Sequence, residues 1–262
     1  MSSEEPVART NTRLALAVGL VDGYTDQPLR VGEFRAEWSR TSLVKGNEQA
    51  AESRIGEPTK PTLTFPDLDI EPVVNPSGYV LLFEADVPED TDTVAVEVTG
   101  GERYVDDERT VDLDAFDPGD DPVETITLQP RPAYPFSAGA TLVRGHVFVL
   151  GDEDDPADPL VPAEHGRAGV TVTLVEFDRA TETVEDGEYV LALTGLTTDD
   201  VEDGQVRVDG LPPTLRVESD DLDPVAVSAP LREGLGHQYL FRYDADGTAT
   251  YWLDTADRWR TT

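Results

Sequence analysis

Cysteine is absent from the 262 residues, and only Lys45 and Lys60 are lysines. Without cysteine there is no disulfide, no thiolate metal site and no thiol nucleophile. Histidine occurs three times, as His146, His165 and His237, and none stands in the H-E-x-x-H spacing of a metalloprotease helix. Each is expected in a structural or solvent-facing role. A serine elbow of the form G-x-S-x-G is missing, as are the phosphate-cradling patterns G-x-x-x-x-G-K-[ST] and G-x-G-x-x-G. Ser77, in Asn75-Pro76-Ser77-Gly78, reads as a turn serine. Long apolar runs are missing too. Leu14 to Val21 is far short of the ~20 residues that cross a bilayer, so no membrane insertion is expected.

Acid is what the chain has in excess. Asp and Glu number 54 against 20 Lys and Arg, for a formal net charge of -34. Such a charge strains a compact fold by self-repulsion. The screening length falls from roughly 8 Å in physiological salt to roughly 3 Å near 1 M. The chain is therefore suited to molar salt, and its acid-rich, lysine-poor composition resembles that of extreme halophiles. Hydrophobic residues still make up 38% of the chain, which sets it apart from disordered acidic sequences. Nucleic acid is not an expected partner, because phosphate binding needs a basic patch. The densest basic cluster is only Arg258-Trp259-Arg260. The start, Met1 to Pro6, is acidic and lacks the basic opening of a secretory signal. A cytoplasmic location, or a particle assembled in the cytoplasm, is expected.

Residues 1–12 read as a flexible leader. Beyond them, short alternating segments such as Thr93 to Val98, Thr171 to Val175 and Gln205 to Val208 are separated by Asp-Gly and Pro-Gly turns. Twenty prolines and 21 glycines leave little room for helices; one is possible at Asn47 to Arg54. The expected fold class is all-β, as two tandem antiparallel β-sandwiches. The first spans 13–129 and includes a polar loop at about 39–61. A proline-rich connector follows at 130–136, where Tyr134 and Phe136 are placed to pin it, and the second sandwich spans 137–262.

The two halves echo each other. Val143-Arg144-Gly145-His146-Val147 is followed by Asp158-Pro159-Leu160, Ala168-Gly169-Val170-Thr171-Val172 and Thr183-Val184-Glu185-Asp186-Gly187-Glu188-Tyr189. In the first half Val18-Gly19-Leu20-Val21, Gln27-Pro28-Leu29 and Asn75-Pro76-Ser77-Gly78-Tyr79 come in the same order. This order of motifs resembles the carboxypeptidase regulatory-like domain, a transthyretin-like β-sandwich. The first half departs from it at Gly32, where Glu33 and Phe34 follow. The resemblance implies a spacer, stabiliser or interaction module. The transthyretin-like hydroxyisourate hydrolases end in Tyr-Arg-Gly-Ser, whereas this chain ends in Arg258-Trp259-Arg260-Thr261-Thr262, so that activity is not implied.

Two candidate sites emerge. His237 to Tyr243 and Ala249 to Leu253 form a hairpin. With a two-residue type I′ turn at Asp246-Gly247, Arg242 falls opposite Tyr251 and Phe241 opposite Trp252. One face then carries Tyr239, Phe241, Tyr243 and Trp252, as sandwich core or as an exposed interaction surface. The second candidate is the acidic loop Asp152 to Asp158. A solvated, salt-adapted loop is the plainer reading; Asp152, Asp154 and Asp158 are the candidate ligands for Ca2+. Asp244-Ala245-Asp246-Gly247 begins like an EF-hand loop but lacks the later ligands. No other cofactor is expected.

These features favour a non-enzymatic structural protein of a halophile. Protein partners, as a homo-oligomer or a multi-protein assembly such as a phage-tail-like contractile particle, are the expected context. A sugar- or peptide-binding module using the aromatic hairpin is one alternative. A hydrolase with a histidine beside a carboxylate is the other.

Overall fold

The computed structural model describes residues 13–37, 60–70, 72–116, 122–155 and 157–253, with the backbone alone at 260–261. The expected leader, the helix at 47–54, nearly all of the polar loop and the acidic turn at 117–121 lie outside the described residues. The chain is nearly all β. It divides into two compact units, Met1–Leu128 and Gln129–Thr262.

The first unit contains β1 (Leu14–Asp22), β2 (Gln27–Pro28), β3 (Arg35–Ala36), β4 (Thr62–Thr64), β5 (Val73–Val74), β6 (Tyr79–Phe83), β7 (Thr93–Thr99), β8 (Asp107–Asp112) and β9 (Val123–Leu128). One sheet is built around β1, with β2 and β6 antiparallel to it and β9 parallel. The other runs β3-β4-β7-β8. Alternation buries Leu16, Val18 and Leu20 of β1 and Val94, Val96 and Val98 of β7. The apolar run that begins at Leu14 is thus a central strand. Arg109 of β8 ties the two sheets together, with Nε 2.9 Å from Asp107 and a terminal nitrogen 3.4 Å from Glu124 of β9.

The second unit contains β10 (Thr141–Val149), β11 (Thr171–Leu174), β12 (Arg179–Glu182), β13 (Glu188–Leu193), β14 (Val201–Glu202), β15 (Gln205–Val206), β16 (Thr214–Ser219), β17 (Leu222–Ser228), β18 (Gly236–Tyr243), β19 (Ala249–Leu253) and β20 (Arg260–Thr261). Its one α-helix among the described residues, α1 (Pro162–His165), is a single turn. One sheet has the order β13-β10-β18-β19-β20 and another β12-β11-β16-β17. Their inner faces meet in one apolar cluster that includes Val143, Leu174, Tyr189, Leu215, Val217 and Phe241.

A buried hydrogen bond organises that cluster. The Tyr189 hydroxyl reaches over Gly145 and donates to the Tyr239 carbonyl at 3.0 Å. It can do so only because residue 145 has no side chain. A Cβ there would lie 1.6 Å from the Tyr239 oxygen and 3.0 Å from the Tyr189 hydroxyl.

The internal echo differs between the units by one residue. The same turn opens β6 and β13. Gly78 donates to the Asn75 carbonyl and Asn75 to Tyr79, and Gly187 donates to Val184 and Val184 to Glu188. The turns therefore align Tyr79 with Glu188 and Val80 with Tyr189. One residue of offset reverses the face. Val80 and Tyr189 are fully buried, while Tyr79 points to the other side of its sheet. The strand glycine has moved along with the tyrosine. Gly19 pairs with Tyr79 and Gly145 with Tyr189, and a Cβ on Gly19 would meet the Tyr79 ring at 2.9 Å.

Gly145→Ala should cost about 3 kcal/mol, because overpacking against backbone cannot be relieved by a rotamer change. Gly236→Ala, which meets open space, should stay within about 0.5 kcal/mol. Denaturant unfolding of both variants in molar KCl checks the contrast.

Candidate functional site

The aromatic hairpin forms with a different register from the expected one. Gly247 takes φ +82° and donates to the Asp244 carbonyl, and Asp244 donates to Thr248. Asp246 is not among the residues with positive φ, so the type I′ turn does not form. A three-residue loop with glycine in the left-handed position replaces it. The added loop residue shifts the pairing: Phe241 faces Tyr251, Leu240 faces Trp252 and Arg242 faces Thr250. Trp252 consequently leaves the face that holds Tyr239, Phe241 and Tyr243. Those three are 1%, 0% and 1% exposed, so they are core and not a ligand platform. Tyr251 takes the expected place of Trp252, 6.5 Å from the Phe241 ring.

Trp252 shares its face with Leu240, and the register places Arg144, His146, Phe148 and Arg242 on that same side. Arg144 lies over the Phe136 ring, 5.2 Å from its centroid, and donates to the Pro132 carbonyl at 3.4 Å. Phe136 in turn contacts Tyr134, with ring centroids 4.8 Å apart. The proline-rich segment is thus held on the outer face of its own unit by an arginine. A charged residue at alternate positions in a strand was the signal available for Arg144 and Arg242. It does not reveal that Arg144 meets Phe136 and Pro132, or that Arg242 Nε lies 2.9 Å from Asp244.

The three histidines lie in separate places, and two of them accept backbone hydrogen bonds. His165 Nδ1 accepts from the Val161 N–H at 3.0 Å, and its Nε2 is 3.8 Å from Asp154. His237 is buried, and its Nε2 accepts from the Arg232 N–H at 2.8 Å. His146 stacks on Phe148 with centroids 5.4 Å apart. The accepting nitrogens of His165 and His237 are taken by backbone N–H groups, which removes the lone pair a general base would use.

Asp152, Asp154 and Asp158 do not converge. Among the described residues, no group of three or more His, Asp or Glu side chains is arranged to hold a metal ion. Asp154 instead accepts from the Gly151 N–H at 2.7 Å, and Asp155 from Ala157 at 2.8 Å. The same local use recurs elsewhere. Asp246 accepts from Thr248, and Asp200 accepts from both the N–H and the hydroxyl of Thr197. The Thr197 hydroxyl, and then its N–H, hold the Asp200 carboxyl below its ordinary range.

An open depression of about 780 Å3 in the first unit is lined by Asp22, Gln27, Arg30, Glu33 and Ser77, among others. Its deepest acid is Asp22, 6% exposed. One carboxylate oxygen accepts from the N–H groups of Tyr24 and Thr25, and the other from the Tyr104 hydroxyl at 2.9 Å. This closes the β1–β2 turn and joins it to the β7–β8 connection.

Compared with known proteins, no family model matches this chain, and no curated protein matches it either.

The buried phenols give a pH test. Burial, and then the neighbouring Tyr239, push the Tyr189 phenol well above its ordinary value. Burial and the Asp223 carboxylate push Tyr243 from 10.0 to about 12. The folded chain keeps these protons where the unfolded chain releases them. The unfolded state then binds fewer protons, so stability is full below pH 10 and falls as the pH rises toward about 12. Tyr243→Phe should lose about 1 kcal/mol at neutral pH, from its bond to the Asp223 carbonyl. It should then decline less steeply in alkali. Circular dichroism and tyrosinate absorbance, followed together, check both effects.

Proposed function

We propose that the chain is a non-enzymatic structural protein of two tandem β-sandwich modules, transthyretin-like in the manner of carboxypeptidase regulatory-like repeats. It presents sheet edges, faces and loops to protein partners in a salt-rich cytoplasm, or in a particle assembled there. We place it as an accessory component of a large assembly of the phage-tail-like contractile kind. The observation that supports this reading is how the polar groups are spent. Buried Tyr189, Asp22, Thr183 and His237 each hold one strand or turn to another. The exposed aspartates that bond at all bond mostly to their own turns. These interactions serve shape, and a rigid shape is what an assembly component contributes.

The strand order supports the sandwich form. In each unit the first strand sits inside a sheet, parallel to a late strand of the same unit. Parallel neighbours need a long crossover, and here the intervening strands of the other sheet supply it. The assembly reading itself rests on fold-level analogy.

Two measurements test the proposal. The melting temperature should rise steadily with KCl from about 0.1 M to molar concentrations, as the screening length shrinks below the spacing of surface charges. A melting temperature indifferent to KCl would remove the halophilic reading. Purification from a native salt-adapted host should also recover the chain in a complex well above its own 28.5 kDa mass. Recovery as a free monomer without partners would sink the assembly reading.

A further inference from the structure

The two units treat the strand parallel to their first strand in different ways. In the second unit that strand is β18, and its other edge carries β19, antiparallel, from Tyr239 opposite Leu253 to Tyr243 opposite Ala249. In the first unit it is β9, and β1 is its one strand neighbour among the described residues. The chain proceeds from Leu128 into the second unit, so no later strand of the first unit covers that edge.

The direction of the edge groups follows from the hydrogen bonds to β1. Ala17 donates to the Pro122 carbonyl, and Gly23 donates to the Leu128 carbonyl. Even-numbered residues therefore turn their backbone toward β1, and Val123, Thr125 and Thr127 turn N–H and C=O outward. The side chains of these three residues are exposed, whereas Ile126 and Leu128 on the opposite face are buried.

Other edges carry protection of the usual kinds. β8 holds Asp107, Glu108, Arg109 and Asp112, and β17 holds Asp223 and Pro224. β12 is short and begins and ends in charge, while β13 has no exposed residue. β9 has no proline and a single charge, Glu124, which Arg109 already engages.

We infer that β9 is a self-association edge: a second copy of this chain pairs its own β9 antiparallel to it, about a two-fold axis at Ile126. The inference refines the proposed structural role by naming one partner surface. Thr125-Ile126-Thr127 reads the same in both directions. A two-fold at Ile126 sets Thr125 against Thr127 of the second copy, and both residues point their backbone groups outward. The ladder closes without a bulge, and the threonines form cross-strand pairs on the exposed face, a favoured combination. Glu124 falls opposite Leu128 of the second copy. The two Glu124 carboxylates are then offset by roughly 14 Å along the strands at ~3.4 Å per residue, beyond the screening length in strong salt. The contact is isologous and closed, so it yields dimers and not fibres. One strand edge is small, which makes the dimer weak and reversible.

Sedimentation velocity on the full chain in molar KCl tests this from micromolar to near-millimolar protein. The expected result is a concentration-dependent shift from monomer to dimer. Thr125→Pro removes one outward N–H and leaves the β1-facing bonds intact, and should leave a folded monomer. The double variant T125E/T127E sets carboxylates directly opposite each other without any backbone change, and should weaken the dimer most when the KCl is lowered and the charges are less screened. A wild type that stays monomeric throughout overturns the inference, as does a dimer of undiminished strength in whichever variants fold. A wild-type monomer that still co-purifies with other proteins would sink the β9 pairing while leaving the proposed function standing.

Discussion

Strand parity is the constraint on which the rest of the structure depends. Side chains alternate faces with a period of two, so one residue more or less in a turn decides which half of a strand reaches the core. Here the decision is made by glycines in the left-handed region. Gly78, Gly187 and Gly247 have φ values of +89°, +75° and +82°, and each donates to the carbonyl three residues earlier. The same turn thus sets the start of β6, the start of β13 and the pairing of β18 with β19. An L-residue would be strained at each position, and at Gly187 its Cβ would also meet the Val147 carbonyl at 2.4 Å.

Elements whose signal is local were legible from the residues. Alternation marked Thr93 to Val98, within the strand Thr93–Thr99, and the aromatic run marked both strands of the last hairpin. What failed was register. Asp-Gly suits a two-residue turn, but Asp244 pairs across to Thr248, and the loop gains a residue that no dipeptide preference encodes. Trp252 changed face for that reason alone. The tyrosines show the same limit. Tyr79 and Tyr189 both follow a glycine closely, yet Tyr79 follows directly and Tyr189 one position later. Only the turn's hydrogen bonds reveal that this single residue separates an outward ring from a buried one.

Candidate chemistry was harder to read because acid is everywhere in the sequence. Beside ion pairs such as Asp107 with Arg109, aspartate has three different uses in this fold. Asp22 is buried and bonded on both oxygens. Asp154, Asp200 and Asp246 accept from N–H groups of their own loops. Asp26, Asp90, Asp178, Asp203 and Asp209 take positive φ, where the short polar side chain is better tolerated than most. A composition dictated by salt therefore also supplies the turn chemistry that many short strands require. The same residue type in the same sequence context serves all three uses, so spacing among aspartates carries little information about metal ligands.

Charge also shapes where the molecule is open. A surface rich in carboxylates repels most approaching strands, and β8 shows how densely an edge can be guarded. The informative feature is then a gap in that coverage. On β9 the outward positions are valine and threonine, and the one acid turns inward to Arg109, where it ties the two sheets of the unit together. A carboxylate used inside is lost as an edge guard. The ion pair that closes the first unit's sheets thus leaves the outer edge of β9 uncharged, and the backbone groups of Thr125 and Thr127 are the ones a second strand would meet there.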